Sequence, residues 1–439
     1  MNERTTDAGR HATLLRNTPY MLLMSGKTTQ IVGEGIGAFA VPLVAFGLTG
    51  SVVLAGVVAA VGEVGSLFAT LPAGVVADRV DRRRLLMAAA AVGTVLWGFA
   101  AVAGVAGILT AWQLAVALFG VSVVTAVFNA AEVGAIRAVI RPDQLAPAMA
   151  AVQGRSAVAA LVGAPAGGAL YAVARTVPFI AGAVGHAAVL VCTAFVRRPL
   201  NGDRAAARRG RPLEQLKEGI RFVAGMPLLR TSLWLIMLLN LTVNGALIAI
   251  NLQLVQTHTL PLLIGLLDSV AGAGMLLGSV IAAPLMKRAP AGPLAIVGLA
   301  VAAAAFLGMA VVHSYAGYLL FSAIGFVLLP AVNSGIGGYV AAIVPDALQG
   351  RVNSVSSLGY LAVAPIAPVI AGAVLAHLGI QPTLWIFAAG LAAGVVLIAF
   401  VKEIRRIGTP ETWADDLIEW DGAEVADPAG ADASVEASV

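Results

Sequence analysis

Cysteine occurs once in this chain of 439 residues, at Cys192. A single thiol excludes an internal disulfide framework and any metal centre built on cysteine. The five histidines (His11, His186, His258, His313 and His377) are scattered and match no metal-ligand spacing. No Gly-x-x-x-x-Gly-Lys-Ser/Thr loop is present, so no P-loop is there to drive ATP hydrolysis. No pairing of nucleophile and base stands out, and the sequence reads as a non-enzyme without cofactor or metal. Charge is scarce too, at 11% of residues, against about 25% in soluble domains. The small net charge of +4 comes from loop arginines and is no nucleic-acid footprint.

Apolar residues are abundant instead, at 59%, with mean hydropathy +0.91. Such a chain cannot be water-soluble. Spanning a bilayer takes roughly 20 apolar residues as a helix. Twelve such runs are present, at about 19–48, 52–77, 85–107, 111–136, 146–173, 177–197, 228–255, 260–286, 292–312, 315–343, 350–376 and 381–401. The fold class is therefore all-α, with twelve transmembrane helices. The polar N-terminus, Met1 to Asn17, carries no cleavable signal pattern.

Basic residues fix the orientation. Arg4, Arg10 and Arg16 precede the first run, and Arg79, Arg82, Arg83 and Arg84 follow the second. Arg137 and Arg141 follow the fourth, Lys287 and Arg288 the eighth, and Lys402, Arg405 and Arg406 the twelfth. The opposite loops hold only Arg175. By the positive-inside rule both termini are cytoplasmic and the chain is a multi-pass protein of the cell membrane.

The chain repeats itself at an offset of 203 residues. Pro142-Asp143-Gln144-Leu145 recurs as Pro345-Asp346-Ala347-Leu348, and Ala164-Pro165 as Ala367-Pro368. Two copies of six spans are the mark of a duplicated transporter. The segments divide as a cytoplasmic N-terminal stretch 1–18, a six-helix bundle 19–197, a linker 198–227, a second bundle 228–402 and an acidic tail 403–439. In the linker, Leu213, Leu216, Ile220 and Val223 recur at helical spacing, which predicts an amphipathic helix lying on the inner membrane surface. From Glu411 onward the tail holds nine acids and no lysine or arginine, a disordered composition beyond a short Trp413–Trp420 segment.

Ionisable residues inside spans are functional hypotheses by default. Lys27, Gln30 and Glu34 share one face of the first span. Glu63 lies in the second span, Asn129 and Glu132 in the fourth, Arg155 in the fifth, and Asp268 in the eighth. Depth pairs Glu132 with Arg155 as a buried ion pair. Asn240, Asn244, Asn251 and Gln253 mark the seventh span and Asn333 the tenth. His186, alone in the sixth, reads as a packed, hydrogen-bonded residue.

The loop Gly74-Val75-Val76-Ala77-Asp78-Arg79-Val80-Asp81-Arg82-Arg83-Arg84 resembles the signature loop of the major facilitator superfamily, Gly-x-x-x-Asp-Arg-x-Gly-Arg-Arg/Lys. Gly74, Asp78, Arg79, Arg82 and Arg83 match it, and Asp81 stands where the family usually has glycine. The resemblance implies two pseudo-symmetric six-helix bundles that work by alternating access. It also implies a conformational latch at these five residues, and a central cavity lined by the first, fourth, seventh and tenth helices. Lys27, Gln30, Glu34, Asn129, Asn240, Asn244 and Asn333 are the cavity candidates. Gly163-Ala164-Pro165-Ala166-Gly167-Gly168 resembles the fifth-helix motif of the superfamily's antiporters, with the proline shifted by one. Gly163, Pro165, Gly167 and Gly168 are expected to permit close packing and a bend. Glu218-Gly219-Ile220-Arg221 looks like the drug and siderophore exporter branch, which includes enterobactin and macrolide efflux proteins.

These features lead to a secondary active transporter that exports a small amphipathic organic molecule (a drug, secondary metabolite or siderophore) by proton antiport. Its partners are the substrate, protons and lipid, and a monomer is expected. The proton-coupling candidates are Glu34, then Asp268, then Glu63. Glu34 ranks first because it is near mid-span, with Gly33 and Gly35 beside it to admit water and substrate. The alternative is facilitated or proton-coupled uptake of a small metabolite. A non-transporting receptor or lipid scramblase on the same fold is a third class.

Overall fold

The computed structural model describes Leu14 and residues 16–201, 212–312 and 314–416. Among these residues there is no strand, and twelve helices are long and apolar enough to cross a membrane. The spans are Thr18–Thr49, Val52–Ala77, Arg82–Val105, Ala111–Val139, Pro147–Val173 and Val177–Phe195, then Pro227–Gln256, Pro261–Arg288, Ala291–Val311, Tyr315–Ile343, Leu348–Leu378 and Ile380–Phe400. The chain is thus a multi-pass membrane protein. Large apolar side chains such as Val280 (75% exposed) and Phe400 (81% exposed) stand on the outside, where hydrocarbon replaces water as solvent.

The helix ends follow local chemistry. Asn17, Ser51, Asp81 and Ser314 each cap a helix N-terminus by accepting a backbone N–H, and Thr110 forms a reciprocal box with Gln113. Gly50 closes the first span in the left-handed region at φ 66°. Pro42, Pro72, Pro165 and Pro284 sit inside continuous helices. The tenth and eleventh spans, read as single runs, are each broken instead. The tenth divides into Tyr315–Val327 and Leu329–Ile343 just before Pro330, and the eleventh into Asp346–Val363 and Ile366–Leu378 at Pro365. A proline supplies no N–H to the turn before it, which frees the helix to break there.

Twelve passes place the signature loop, the linker and the residue-402 segment on one face, here the linker face, opposite the far face. The two halves join at the far face. Phe39 and Leu43 of the first half pack with Ile250 and Ile264 of the second, and Leu252 and Leu375 pack among Val44, Val52 and Leu109. Toward the linker face the cores separate. One gathers Tyr20, Leu86, Phe128, Ile136 and Leu200, all from the first half, and the other Leu235, Val332, Tyr339, Val352 and Ile404, all from the second. The molecule is closed at the far face and parted toward the linker face.

The far-face closure rests on glycines meeting backbone. A Cβ on Gly265 of the eighth span would sit 2.4 Å from the Ala164 carbonyl oxygen of the fifth, and one on Gly56 of the second span 2.4 Å from the Pro368 oxygen of the eleventh. The Ala-Pro pair that repeats at offset 203 is therefore a ledge in both copies, and each ledge receives a glycine from the other half.

The linker helix, Pro212–Gly225, forms where its periodicity predicts. It docks on the eleventh span, where Gly219 abuts the Arg351 backbone and Glu218 pairs with the Arg351 guanidinium. Val223 is buried in the second core while Ile220 stays exposed. Leu213's side chain lies outside the described ones. The linker helix thus travels with the second half. Beyond the twelfth span, Ile404 and Ile407 are buried, and Gly408 and Ile407 carbonyls accept from the N–H groups of Ala291 and Gly292. Trp413 follows, edge-on to Tyr339. The acidic residues from 417 on lie outside the described residues.

Candidate functional site

The first half holds a buried polar cluster around Glu34. Its Oε1 accepts from Thr125 Oγ1 at 2.5 Å and from Gln30 Nε2 at 3.1 Å, and lies 3.1 Å from His186 Nε2. The carboxylate comes from the first span, the hydroxyl from the fourth and the imidazole from the sixth. Gln30 and His186 are 1% and 0% exposed, while the Glu34 side chain keeps 18%. Glu34 and Thr125 are thus the partly exposed members of the group.

Gly33 and Gly35 do not open a route to Glu34. A Cβ on Gly33 would meet the Ala181 carbonyl oxygen at 2.5 Å, and one on Gly35 the Gly163 Cα at 3.3 Å. Both glycines bring helices together, the first span onto the sixth and the fifth. The sequence reading left His186 as a packed residue and did not associate it with Glu34. Thr125 was missed as well. Periodicity on one helix cannot show which neighbouring helix faces it.

Lys27 lies on the same face but is not paired with Glu34. Its Nζ donates to Asn129 Oδ1 at 2.9 Å and sits 4.2 Å above the centre of the Phe128 ring. The side chain is 2% exposed, so its charge is held by one amide and one aromatic face. Nearer the linker face, Arg155 Nη2 meets Glu132 Oε1 at 2.6 Å, and Arg155 Nη1 faces Met24 Sδ at 3.4 Å. Both side chains of this pair are nearly buried.

The second half is built differently. Asn240 and Asn244 donate to carbonyls one turn back on their own helix, Ile236 O and Asn240 O. Asn251 Nδ2 donates to Asp268 Oδ1 at 3.2 Å, so the eighth-span acid already has an amide partner. Asn333 lines a cavity of about 230 Å³, with Leu229, Leu235, Ile336, Ser232 and Asn353 among its walls. Ser232 Oγ is buried there without a partner. Glu63 stands at the seam between halves, lining a smaller cavity of about 100 Å³ with Asn244 and Tyr360.

The signature loop is anchored within the first half. Asn201 Oδ1 accepts from the Arg82 backbone N–H at 3.0 Å, and Asn201 Nδ2 donates to Asp81 Oδ2 at 2.5 Å. Arg83 Nη2 donates to Ala194 O at 2.7 Å. Arg79 is exposed, and the Asp78 side chain lies outside the described ones. A Cβ on Gly74 would meet open space, whereas Gly134 of the fourth span makes room for the Arg82 guanidinium, whose Cζ lies 2.5 Å from where a Cβ would be.

The fifth-span motif does bring backbones together. Gly163 meets the Gly35 Cα, Gly167 meets Ile36 O and Phe39, and Gly168 meets Pro261 O of the second half. Pro165 lies inside an unbroken helix, and its Cα faces Gly265.

Comparison with known proteins agrees with this architecture. The sequence profile described as the Major Facilitator Superfamily matches residues 23–328 and 233–425. No curated protein sequence matches the chain. Among solved structures, the chain is similar to a bacterial homologue of the iron transporter ferroportin in an inward-facing state, at TM-score 0.66 and 15% identity over 88% of this chain and 98% of that one. It is also similar to the nucleoside transporter NupG (D323A mutant), at TM-score 0.69 and 14% identity, over 87% and 99% of the two chains. A D-xylose–proton symporter aligns at TM-score 0.64 and 14% identity, over 88% and 98%. At such identities the likeness is one of fold alone.

Proposed function

The chain belongs to the Major Facilitator Superfamily, and we propose that it exports a small amphipathic organic molecule by proton antiport. One observation carries this reading: the two halves are chemically unequal. The first half concentrates buried titratable groups, with Glu34 partly exposed. The second offers an apolar cavity with sparse amide and hydroxyl groups (Asn333, Asn353 and Ser232), which suits a body of hydrocarbon with a few hydrogen-bonding atoms. Proteins as different as a xylose symporter and a nucleoside transporter share this fold, so substrate class is argued from the cavity and not from the fold. The scarcity of aromatics and of polar groups in it weighs against a sugar.

The arginine distribution supports a cytoplasmic linker face in the cell membrane. The molecule described is then open to the cytoplasm, the side from which an exporter loads. Gly163 to Gly168, which resembles the antiporter motif, supports the direction. Glu34 is the coupling group. It exchanges its proton as the halves rock about the far-face ledges, and Asp268 and Glu63 rank behind it. Asp78, Arg79, Arg82 and Arg83 form the latch when the linker face closes, with Gly74 in their loop. A monomer suffices, since both halves of the cycle lie in one chain.

The experiment is Glu34→Gln in proteoliposomes, using compounds to which a knockout strain becomes sensitive. The variant should fail to concentrate substrate against its gradient when a proton gradient is imposed. It should retain substrate binding and energy-independent exchange. Concentrative transport by the variant at the wild-type level refutes Glu34 as the coupling group, and flux indifferent to the proton gradient in the wild type refutes antiport.

A further inference from the structure

We infer that His186 shares the coupling proton with Glu34, the two forming a one-proton acceptor whose loaded and empty states are both satisfied by the Gln30 amide. The inference rests on the reading of Glu34 as the coupling group, and extends it to a second residue and to a proton inventory.

The inventory follows from three contacts. His186 Nδ1 lies 3.0 Å from the Gly182 carbonyl oxygen. A carbonyl only accepts, so Nδ1 carries a hydrogen in both states. His186 Nε2 lies 3.1 Å from Glu34 Oε1 and 3.1 Å from Gln30 Nε2, and Gln30 Nε2 is again 3.1 Å from Glu34 Oε1. The three atoms form a triangle. In the empty state Glu34 is a carboxylate and His186 is neutral with a lone pair at Nε2. The two N–H bonds of the Gln30 amide then supply one donor to each.

In the loaded state one proton lies between Glu34 and His186, bonded to either. With the proton on Nε2, that atom no longer accepts from Gln30. The Gln30 amide then has something to offer: its Oε1 is buried and has no hydrogen-bond partner in the present arrangement. A half-turn of the amide brings this oxygen within reach of the Nε2–H, which it then shares with Glu34 Oε1 in a three-centre bond. A buried acceptor left unpaired is costly, and the loaded state offers it a donor.

The step balances without any further reactant. A proton carried by water bonds to the Glu34 carboxyl, the partly exposed member of the pair. Passage to His186 breaks the Glu34 O–H bond and forms the Nε2–H bond, and release to water on the opposite side reverses both. The charge that acts on the pair is Lys27 from the first span, and the Glu132–Arg155 ion pair lies nearer the linker face. The third span packs Gly93 against the imidazole and brings no charged group to it, and the sixth adds only Cys192, which lies against Gly26. Loading adds one positive charge to the cluster. An uncompensated charge at this depth is costly to carry, which gives the loaded and empty forms different preferences for the two conformations.

The test reads protonation directly and needs no substrate. Full-length protein in lipid nanodiscs is titrated by pH-difference infrared spectroscopy and by nitrogen NMR of labelled histidine, as wild type, Glu34→Gln, His186→Asn and Thr125→Val. The His186 signal is identified by its loss in His186→Asn, and the Glu34 carboxylic acid band by its loss in Glu34→Gln. In the wild type both signals should change over one pH interval. In Glu34→Gln the His186 response should differ from that of the wild type, and the carboxylic acid band should shift in His186→Asn. Thr125→Val keeps the shape of its site and removes one donor to Glu34, so it should shift the same band even if His186→Asn does not fold.

A His186 nitrogen signal unchanged across the interval in which Glu34 titrates overturns the inference, as does a His186 response identical in wild type and Glu34→Gln. The two readings can fail separately. If the shared response is present while Glu34→Gln still drives concentrative transport, the proton pair stands and the coupling assignment falls. If Glu34→Gln uncouples transport while His186 does not respond, the reverse holds.

Discussion

Gly265→Ala and Gly56→Ala test whether the far-face ledges set the conformational balance. Each new methyl would lie 2.4 Å from a carbonyl oxygen, Ala164 O for Gly265 and Pro368 O for Gly56. These obstacles are backbone, so a rotamer change cannot relieve them, and the two helices must move apart. Overpacking of this kind costs about 1–3 kcal/mol. The contact exists only while the far face is closed, so the cost falls on that state alone. The ratio of far-face-closed to far-face-open molecules should drop by a factor of roughly 5 to 150. The two seams are on different helix pairs, so the double variant should combine both effects. The assay is a distance distribution between spin labels at Ile108 and Val312, exposed positions at far-face ends of the two halves, in a Cys192→Ala background. Each variant should add a longer distance that the parent lacks. Gly272→Ala on the eighth span is the control, since its Cβ would meet nothing within 4 Å. Distributions unchanged in both seam variants, or changed equally by Gly272→Ala, would refute the reasoning.

Three further outcomes are expected. Glu132→Gln or Arg155→Met alone should lower stability by about 3–5 kcal/mol, because the partner charge is left buried, and the double variant should regain part of the loss; additive losses in thermal unfolding would show that the 2.6 Å contact carries no coupling. Asp78→Asn should slow transport with membrane insertion intact, and a wild-type rate at normal expression would dispose of the latch. Trp413 is 8% exposed, donates to Gly408 O at 3.0 Å and packs on Tyr339. Trp413→Ala should therefore destabilise the second half by about 3–5 kcal/mol, and an unchanged unfolding temperature would show that the segment is merely laid against the bundle.

The spans were legible because a bilayer leaves the backbone one way to satisfy itself in a single segment, and the runs of apolar residues record it directly. The breaks at Leu328 and Ala364 were not, although Pro330 and Pro365 were in view. Pro42, Pro72, Pro165 and Pro284 are equally internal and break nothing, and the difference lies in packing that a single helix does not reveal. Within the site, depth along each span was sufficient to bring Glu132 to Arg155. Depth also puts Glu34 and His186 at similar levels, but rotation about the helix axis decides which residues at one level face each other. Rotation is read from contacts such as Gly33 on Ala181 and Gly185 on Gln30, which lock the first and sixth spans together. Glycine is ambiguous in sequence for the same reason: Gly74 faces open space while Gly134 sits beneath a guanidinium.

The Glu34 cluster and the far-face seam are adjacent through backbone alone. Gly35 follows Glu34 and rests on the Gly163 Cα, and Gly167 rests on Ile36 O. Pro165 and Gly168, on the same stretch of the fifth span, meet Gly265 and Pro261 of the other half. No side chain intervenes at the Gly35–Gly163 crossing to absorb a displacement by changing rotamer. If Glu34 is the coupling group proposed above, a shift or rotation of the first span on its protonation must be accommodated by the fifth span as a body. The fifth span carries one of the two ledges on which the halves close. On the proposed mechanism the glycines of the fifth-span motif would do more than permit close packing: they would make the path from protonation to closure stiff, as a rigid-body motion requires.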